Sequence, residues 1–170
     1  MTYRPPFVKQ GDGSRCQWSN CGCAVHAMAA NRWRKGVDPR NSHGWPPTPS
    51  EIRNRISPTH CGGTTLNQND AAVTYLYGTD MAVRYNIPWN SFRSLIISGR
   101  GAAVSIKYSV ISPTKFDASP NFRGNHGVFV NEYRASDGAY LVYDPLADHR
   151  RAGIPQGPPR VVRLPRCGRR

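Results

Sequence analysis

The sequence predicts an α+β fold in which the helices come first and an antiparallel sheet follows. Helical patterns with start and stop signals fill the first half of the chain, whereas β-branched and aromatic segments separated by turn residues fill the second half. No internal repeat divides the chain, and 170 residues are enough to enclose one hydrophobic core. We therefore expect a central N-terminal helix that packs on a C-terminal antiparallel sheet.

The first two helices are predicted from the residues at their ends. The first is expected from about residue 21 to 35, where two basic residues followed by Gly36 suit a helix C-terminus. The sequence Thr-Pro-Ser-Glu at 48–51 is a capping box, with a threonine cap, a proline at the first helical position and a glutamate that reaches back. It predicts a short helix that continues through about Ser57.

Two further helices are expected before the sheet begins. The third is predicted over 67–77 and the fourth over about 90–98, and each is followed by a glycine that stops it. Asn90 is the expected cap of the fourth helix. Between these helices, residues 81–87 have the composition of a strand.

The second half of the chain is read as strands. A β-hairpin is predicted from two strand-like segments that flank a short turn containing glycine. The expected strands cover 101–111, 126–134, 139–145 and 160–164. In this interpretation residues 1–15 are an extended N-terminal segment, 16–165 form a single domain, and 166–170 are a basic tail.

The net charge of +13 indicates partners that carry negative charge. Most of the arginines are scattered along the chain, so we expect no specific recognition of nucleic acid. The chain has no apolar run of roughly 18 residues that could span a membrane, and its first residues have no signal-peptide core. These features predict a soluble protein made in the cytoplasm.

The chain contains five cysteines, namely Cys16, Cys21, Cys23, Cys61 and Cys167. The absence of a signal peptide argues against a disulfide framework. Because the number of cysteines is odd, at least one of them must remain a free thiol.

Apolar residues are expected on both sides of the first helix, which predicts that it is buried at the centre of the domain. At 100° per residue, Cys21 lies on the same side as Val25 and Met28, whereas Cys23 lies on the opposite side with Ala27. The two cysteines therefore point apart and cannot pair with each other within the helix.

The position of Cys21 favours a reactive thiol. It occupies the first helical turn, where unpaired N–H groups and the positive end of the helix dipole stabilise a thiolate. A nucleophile also needs a base and a residue that orients the base. His126 opens the first strand of the predicted hairpin and Asp144 closes the second, so the fold brings them near each other. Gln17 could donate its amide N–H to a developing oxyanion.

The segment "QWSNCGCAVHAM" around Cys21 resembles the nucleophile helix of papain-like cysteine peptidases of the bacteriocin-processing type. The segments "NHGVFV" and "YDP" are similar to the histidine and aspartate blocks of that family and occur in the same order. Together with "HCGGTTL", they also resemble small bacteriophage proteins found in tail-associated and lysin contexts. The resemblance extends from about Gln17 to Asp148.

The resemblance implies a papain-like fold with Cys21 as nucleophile, His126 as base, Asp144 as the residue that orients the base, and Gln17 in the oxyanion hole. Cys23 is the alternative nucleophile, because a spacing of six residues after Gln17 would select it. The register of the Cys-Gly-x-Ala motif and the start of the helix favour Cys21.

The expected function is therefore that of a phage-encoded, virion-associated cysteine peptidase or amidase. Its expected substrate is a bacterial cell-wall peptide, and no cofactor is expected. The alternative from another class is a structural tail or head–tail component that binds other virion proteins without turnover.

A zinc site is a further alternative for the cysteines. Cys16, Cys21 and Cys23, with His60 or Cys61, could supply four ligands, but their spacing differs from the paired Cys-x2-Cys of common zinc sites. We therefore expect no metal. The remaining histidines, which are His26, His43 and His149, are expected in surface roles.

Overall fold

The computed structural model of the chain describes residues 3–37, 45–107, 124–146 and 160–162. Within these ranges the protein combines four α-helices with a four-stranded antiparallel sheet of order β1-β2-β3-β4, which confirms the predicted α+β class. The helices are α1 (Cys21–Arg34), α2 (Pro49–Ile56), α3 (Leu66–Tyr77) and α4 (Trp89–Ile97). The strands are β1 (Ala102–Lys107), β2 (Asn125–Arg134), β3 (Ala139–Tyr143) and β4 (Arg160–Val162). A 3-10 turn (Gln17–Ser19) comes directly before α1.

Helix α1 lies at the centre of the fold, as its apolar residues predict. Every residue from Cys23 to Asn31 is buried. One side, which includes Cys23 and Ala27, packs against Ile52 of α2 and Val73 of α3. The other side packs on the sheet, where Val25 and Met28 contact the aromatic rings of Phe129 and Tyr143.

The sheet is covered on both faces, because successive side chains of a strand point in opposite directions. On β2, Phe129 belongs to the cluster beneath α1. Its neighbours Val128 and Val130 belong to the cluster formed with Phe92 and Ile96 of α4. The fold therefore has α2 and α3 outside α1, and α4 on the far face of the sheet.

The helix ends confirm the predicted capping chemistry in the first half of the chain. The capping box at Thr48 is complete, with both the threonine and the Glu51 side chains engaged. A second complete box, which the sequence interpretation missed, joins Thr65 and Gln68 at the start of α3. Helix α1 ends at Arg34, and Lys35, which caps it, has a positive φ of 51°.

Two local predictions are wrong. Residues 81–87 do not form a strand in the structure; the Met81 N–H donates to the Asp70 carboxylate, and Asn86 adopts a left-handed turn. Strand composition alone does not supply a neighbouring strand to pair with. Asn90 is not the cap of α4, since the helix already begins at Trp89 after Pro88.

His26 is buried, and not on the surface as predicted. Its Nδ1 atom lies 2.8 Å from the carbonyl oxygen of Gly22, one turn earlier in α1. Burial lowers the pKa of His26 to about 4, so the ring is neutral. The other two histidines assigned to the surface, His43 and His149, lie outside the described residues, as do Cys167 and the basic tail 166–170.

Cys16 and Cys61 form a disulfide, a pairing that the sequence left open although it argued against a disulfide framework. The bond joins the turn before α1 to the loop between α2 and α3. Cys21 and Cys23 remain thiols.

The N-terminal segment, expected to be extended, packs against the rest of the fold, and the chain bends or turns over residues 12–15. Phe7 and Val8 contact the hydrophobic clusters around α1. Gln10 is 2% exposed, and its backbone N–H donates to the carbonyl oxygen of Pro145.

We predict that replacing both Cys16 and Cys61 by serine lowers the free energy of unfolding by about 4 kcal/mol, because the bond closes a loop of 45 residues in the unfolded chain. Urea denaturation of the double variant measures the change. The wild-type protein treated with a reducing thiol is the matched control and should show the same loss. An unchanged denaturation midpoint in both would contradict this role of the disulfide.

Candidate active site

Cys21 is the first residue of α1, at the point where the helix emerges from the preceding turn. The N–H groups of a first helical turn have no carbonyl partner within the helix, so they can stabilise negative charge on a nearby atom. The Cys21 side chain is partly exposed, as a nucleophile must be to meet a substrate.

The hairpin formed by β2 and β3 brings the other two candidate residues together. Phe129 lies opposite Tyr143 in this pairing. Asp144 is the next residue after Tyr143, so it leaves β3 at the end of the hairpin where β2 begins with Asn125 and His126. Which residues meet here depends on the turn over residues 135–138 and on the register shift between Val130 and Glu132.

His126 and Asp144 are directly hydrogen bonded. The His126 Nε2 atom lies 2.7 Å from Asp144 Oδ1, and the imidazole is only 2% exposed. The same carboxylate oxygen accepts the backbone N–H of Leu146 at 2.9 Å. The Leu146 N–H therefore fixes the position of the Asp144 carboxylate, and the carboxylate fixes the orientation of the imidazole ring.

The side chains of Cys21 and His126 are also hydrogen bonded. Because Nε2 is engaged by Asp144, the ring nitrogen that faces the thiol is Nδ1. Cys21, His126 and Asp144 thus form one continuous chain of polar contacts that joins α1 to the sheet.

The electrostatics of this chain favour a thiolate paired with an imidazolium. Burial opposes the ionisation of Cys21, but the hydrogen bond and charge of His126, together with the N–H groups of Gly127 and Gly22, lower the pKa of the thiol overall. Burial also opposes protonation of His126, yet its bonds to Asp144 and Cys21 and their negative charges raise the pKa of His126 to about 9. The two shifts have opposite directions, as expected when each charge stabilises the other.

A glycine of β2 permits the close approach of helix and strand. A methyl group on Gly127 would lie 3.2 Å from both the carbonyl carbon and the carbonyl oxygen of Cys21. It would also lie 3.3 Å from the backbone nitrogen of Gly22. A side chain at this position would therefore press directly on the first turn of α1.

No model of a known protein family matches this chain, and no curated protein shows significant sequence similarity to it.

Cys23, the alternative nucleophile, has a different environment. It is fully buried among residues of α2 and α3, on the side of α1 that faces away from the sheet. Burial raises the pKa of Cys23 to about 11, so the thiol stays protonated. The geometry and the charge state both favour Cys21 over Cys23.

Gln17 lies in the turn that leads into α1, as its proposed oxyanion role requires. Its side-chain oxygen accepts the N–H of Gly13 at 3.3 Å, which leaves the amide nitrogen to act as the donor. The oxyanion role of Gln17 stays a prediction.

Gln10 is a residue that the sequence interpretation missed. Its side-chain nitrogen donates to the carbonyl oxygens of Gln17 and Trp18, at 3.3 and 3.2 Å, while its backbone N–H bonds Pro145. Gln10 thereby ties the turn before Cys21 to the turn after Asp144. A lone glutamine in an extended segment has no periodicity or motif that could reveal this contact in advance.

The zinc alternative is not compatible with the cysteine pairing, because Cys16 and Cys61 are bonded to each other. Among the residues that the structure describes, no group of three or more histidine, cysteine or acidic side chains is arranged to hold a metal ion.

In the described part of the chain, no helix combines the length and apolar character needed to cross a membrane.

We predict that Gly127→Ala reduces the rate at which iodoacetamide alkylates Cys21 at mildly acidic pH by about tenfold. The added methyl group pushes β2 away from the thiol and weakens the contacts that lower its pKa, and one pKa unit changes the thiolate fraction tenfold. Mass spectrometry of the alkylated peptide gives the rate.

The control for this variant is Gly63→Ala, since a methyl group there would meet no atom of the described chain within 4 Å. It should label like wild type. Equal labelling rates for Gly127→Ala and wild type would show that the close approach at Gly127 does not control the thiol.

Proposed function

We propose that this chain is a papain-like cysteine peptidase or amidase whose catalytic residues are Cys21, His126 and Asp144. The proposal rests on one observation, the hydrogen-bonded chain from the Cys21 thiol through His126 to the Asp144 carboxylate. The lowered pKa of Cys21 and the raised pKa of His126 give each group the protonation state that amide cleavage needs.

In the first half of the proposed reaction, the Cys21 thiolate attacks the carbonyl carbon of a peptide bond. The carbonyl oxygen becomes an oxyanion, and we assign its stabilisation to the Cys21 N–H at the helix start and to the Gln17 amide. The protonated His126 then gives its proton to the leaving nitrogen as the carbon–nitrogen bond breaks. An amine departs, and the acyl group remains on Cys21 as a thioester.

In the second half, a water molecule replaces the amine. His126, now neutral, accepts a proton from the water as its oxygen attacks the thioester carbonyl. The carbon–sulfur bond breaks, a carboxylic acid is released, and Cys21 and His126 return to the thiolate and imidazolium forms. Asp144 keeps the ring oriented and stabilises its positive charge throughout.

The proposed substrate is a bacterial cell-wall peptide, and the proposed setting is a phage particle, with the protein associated with the tail. The sequence resemblance to small phage tail-associated and lysin proteins supports the setting. The net charge of +13 supports a substrate that carries carboxylates, because a positive field concentrates anionic substrates at the surface.

A virion component that keeps this fold only for binding is the rival hypothesis. Activated thiols have no purpose in such a protein, whereas the ionised pair of Cys21 and His126 serves turnover. The variants that test catalysis also distinguish this binding hypothesis from the enzymatic one.

We predict that Cys21→Ser abolishes cleavage of peptidoglycan fragments, with a loss of at least about a thousandfold, because a serine hydroxyl has no ionised form near neutral pH. Chromatography of the released fragments measures turnover. Cys23→Ser is the matched control and should retain turnover, since Cys23 faces away from the sheet.

If Cys23→Ser lost turnover and Cys21→Ser retained it, the assignment of the nucleophile would be reversed. If wild type and both variants left every fragment intact and phage particles carrying Cys21→Ser stayed fully infectious, the structural role would replace the enzymatic one.

We predict that turnover falls as the pH rises through about 9, because His126 then loses the proton that it must give to the leaving amine. Turnover should also fall in acid, where the Cys21 thiolate becomes protonated. Initial rates measured across the pH range with substrate well below saturation report kcat/KM, and so the ionisation of the free enzyme, and give both limbs. Turnover that kept rising above about pH 9 would indicate an ordinary thiol that needs hydroxide for its ionisation.

A further inference from the structure

Arg53 of α2 is a buried cation beside the start of the nucleophile helix. Its side chain is 3% exposed and donates three hydrogen bonds. Nη2 donates to the Ser19 carbonyl oxygen at 2.6 Å, Nε to the Asn20 side-chain oxygen at 2.9 Å, and Nη1 to the Gly62 carbonyl oxygen at 2.9 Å. All three acceptors are neutral oxygens, and two of them belong to the residues directly before Cys21.

These bonds change how α1 begins. An asparagine before a helix usually adopts an extended backbone and accepts an N–H of the second or third helical residue with its side-chain oxygen. Asn20 instead has φ −90° and ψ 12°, and within the described chain its oxygen serves Arg53 rather than the helix. By contrast, Thr48 and Thr65 are extended and cap their own helices fully.

The second helical residue of α1 is Gly22, whose N–H contributes to lowering the pKa of Cys21. A side-chain cap from Asn20 would compete for this same N–H group. Arg53 holds the side-chain oxygen of Asn20 away from the Gly22 N–H. This N–H therefore remains available to the Cys21 sulfur.

We propose that Arg53 is a positioning residue for the nucleophile, which diverts the Asn20 side chain from capping α1 and thereby reserves the N–H of Gly22 for the Cys21 thiolate. This inference rests on the proposed role of Cys21 as nucleophile. The positive charge of Arg53 acts on the neighbouring Cys23 thiol, where it partly offsets the effect of burial on the pKa.

Other charged and titratable groups also act on this turn. His126 on β2, paired with Asp144, faces the thiol directly, and Cys23 and Asp12 lie close enough to interact electrostatically with each other. Cys23 also interacts with the charge of Arg53, but its pKa of about 11 keeps it protonated, so a shift in Cys21 ionisation reports on Arg53 and Asn20.

The test compares the pH midpoint of Cys21 alkylation in three proteins that carry Arg53→Met, Arg53→Met with Asn20→Ala, or Arg55→Met. Arg55 is the matched control, since it is an exposed arginine of the same helix that lies over the ring of Tyr75. We expect Arg53→Met to raise the midpoint by about one pH unit. Adding Asn20→Ala should reverse part of that rise, and Arg55→Met should leave the midpoint unchanged.

An unchanged midpoint in Arg53→Met overturns the proposal, and so does a rise that Asn20→Ala fails to reverse. If thermal melting shows that Arg53→Met does not fold, Arg53→Lys takes its place. An ammonium group cannot reach three acceptors as the planar guanidinium does, so a smaller rise that Asn20→Ala reverses is expected, and wild-type behaviour overturns the proposal.

Alkylation measures the thiol alone and needs no substrate. A wild-type protein that cleaves no peptide but shows the expected midpoints would therefore refute the proposed function and support the role of Arg53. A protein that cleaves peptide but whose midpoint is unaffected by Arg53→Met would support the proposed function and refute the role of Arg53.

Discussion

The contact between the first turn of α1 and strand β2 at Gly127 is the constraint on which the candidate site depends. It places the Cys21 sulfur within hydrogen-bonding reach of His126 and lets the Gly127 N–H contribute to the low pKa of the thiol. The contact is possible only because α1 is apolar on two sides, so that α2 and α3 press one side while the sheet receives the other. Packing of the helix and ionisation of the thiol are thus two consequences of one arrangement.

The helix starts of this chain serve different purposes. Helices α2 and α3 are closed by complete capping boxes, which satisfy their first N–H groups with side chains. In α1 the first turn faces the Cys21 thiol instead. The side chain of Asn20, which precedes the helix, is hydrogen bonded to the buried Arg53. A helix end that stabilises a bound charge gives up the stability that a cap would supply, and the disulfide and the buried contacts of the preceding turn offset that loss.

The N-terminal segment belongs to the structure of the site even though it carries none of the proposed catalytic groups. Gln10 connects the turn before Cys21 with the turn after Asp144, so the segments that carry Cys21 and Asp144 are held by one buried side chain and its backbone. The two ends of the proposed catalytic chain come from distant parts of the sequence, and such a link limits their relative movement.

The sequence by itself determined the α+β class, the central position of α1, the capping box at Thr48 and the hairpin that joins His126 to Asp144, because periodicity, caps and turns are local signals. The same reasoning failed for residues 81–87 and for His26, and it left the pairing of Cys16 with Cys61 open. Pairing partners, burial and cross-links depend on which distant segments meet, and no local pattern records that. The sequence already favoured Cys21 over Cys23, and the tertiary structure adds the difference in their surroundings: contacts with His126 lower the pKa of Cys21, whereas burial raises that of Cys23. The tertiary structure alone placed Arg53 and Gln10 at the turn before the nucleophile, where long-range hydrogen bonds, and not sequence spacing, decide the position of each group.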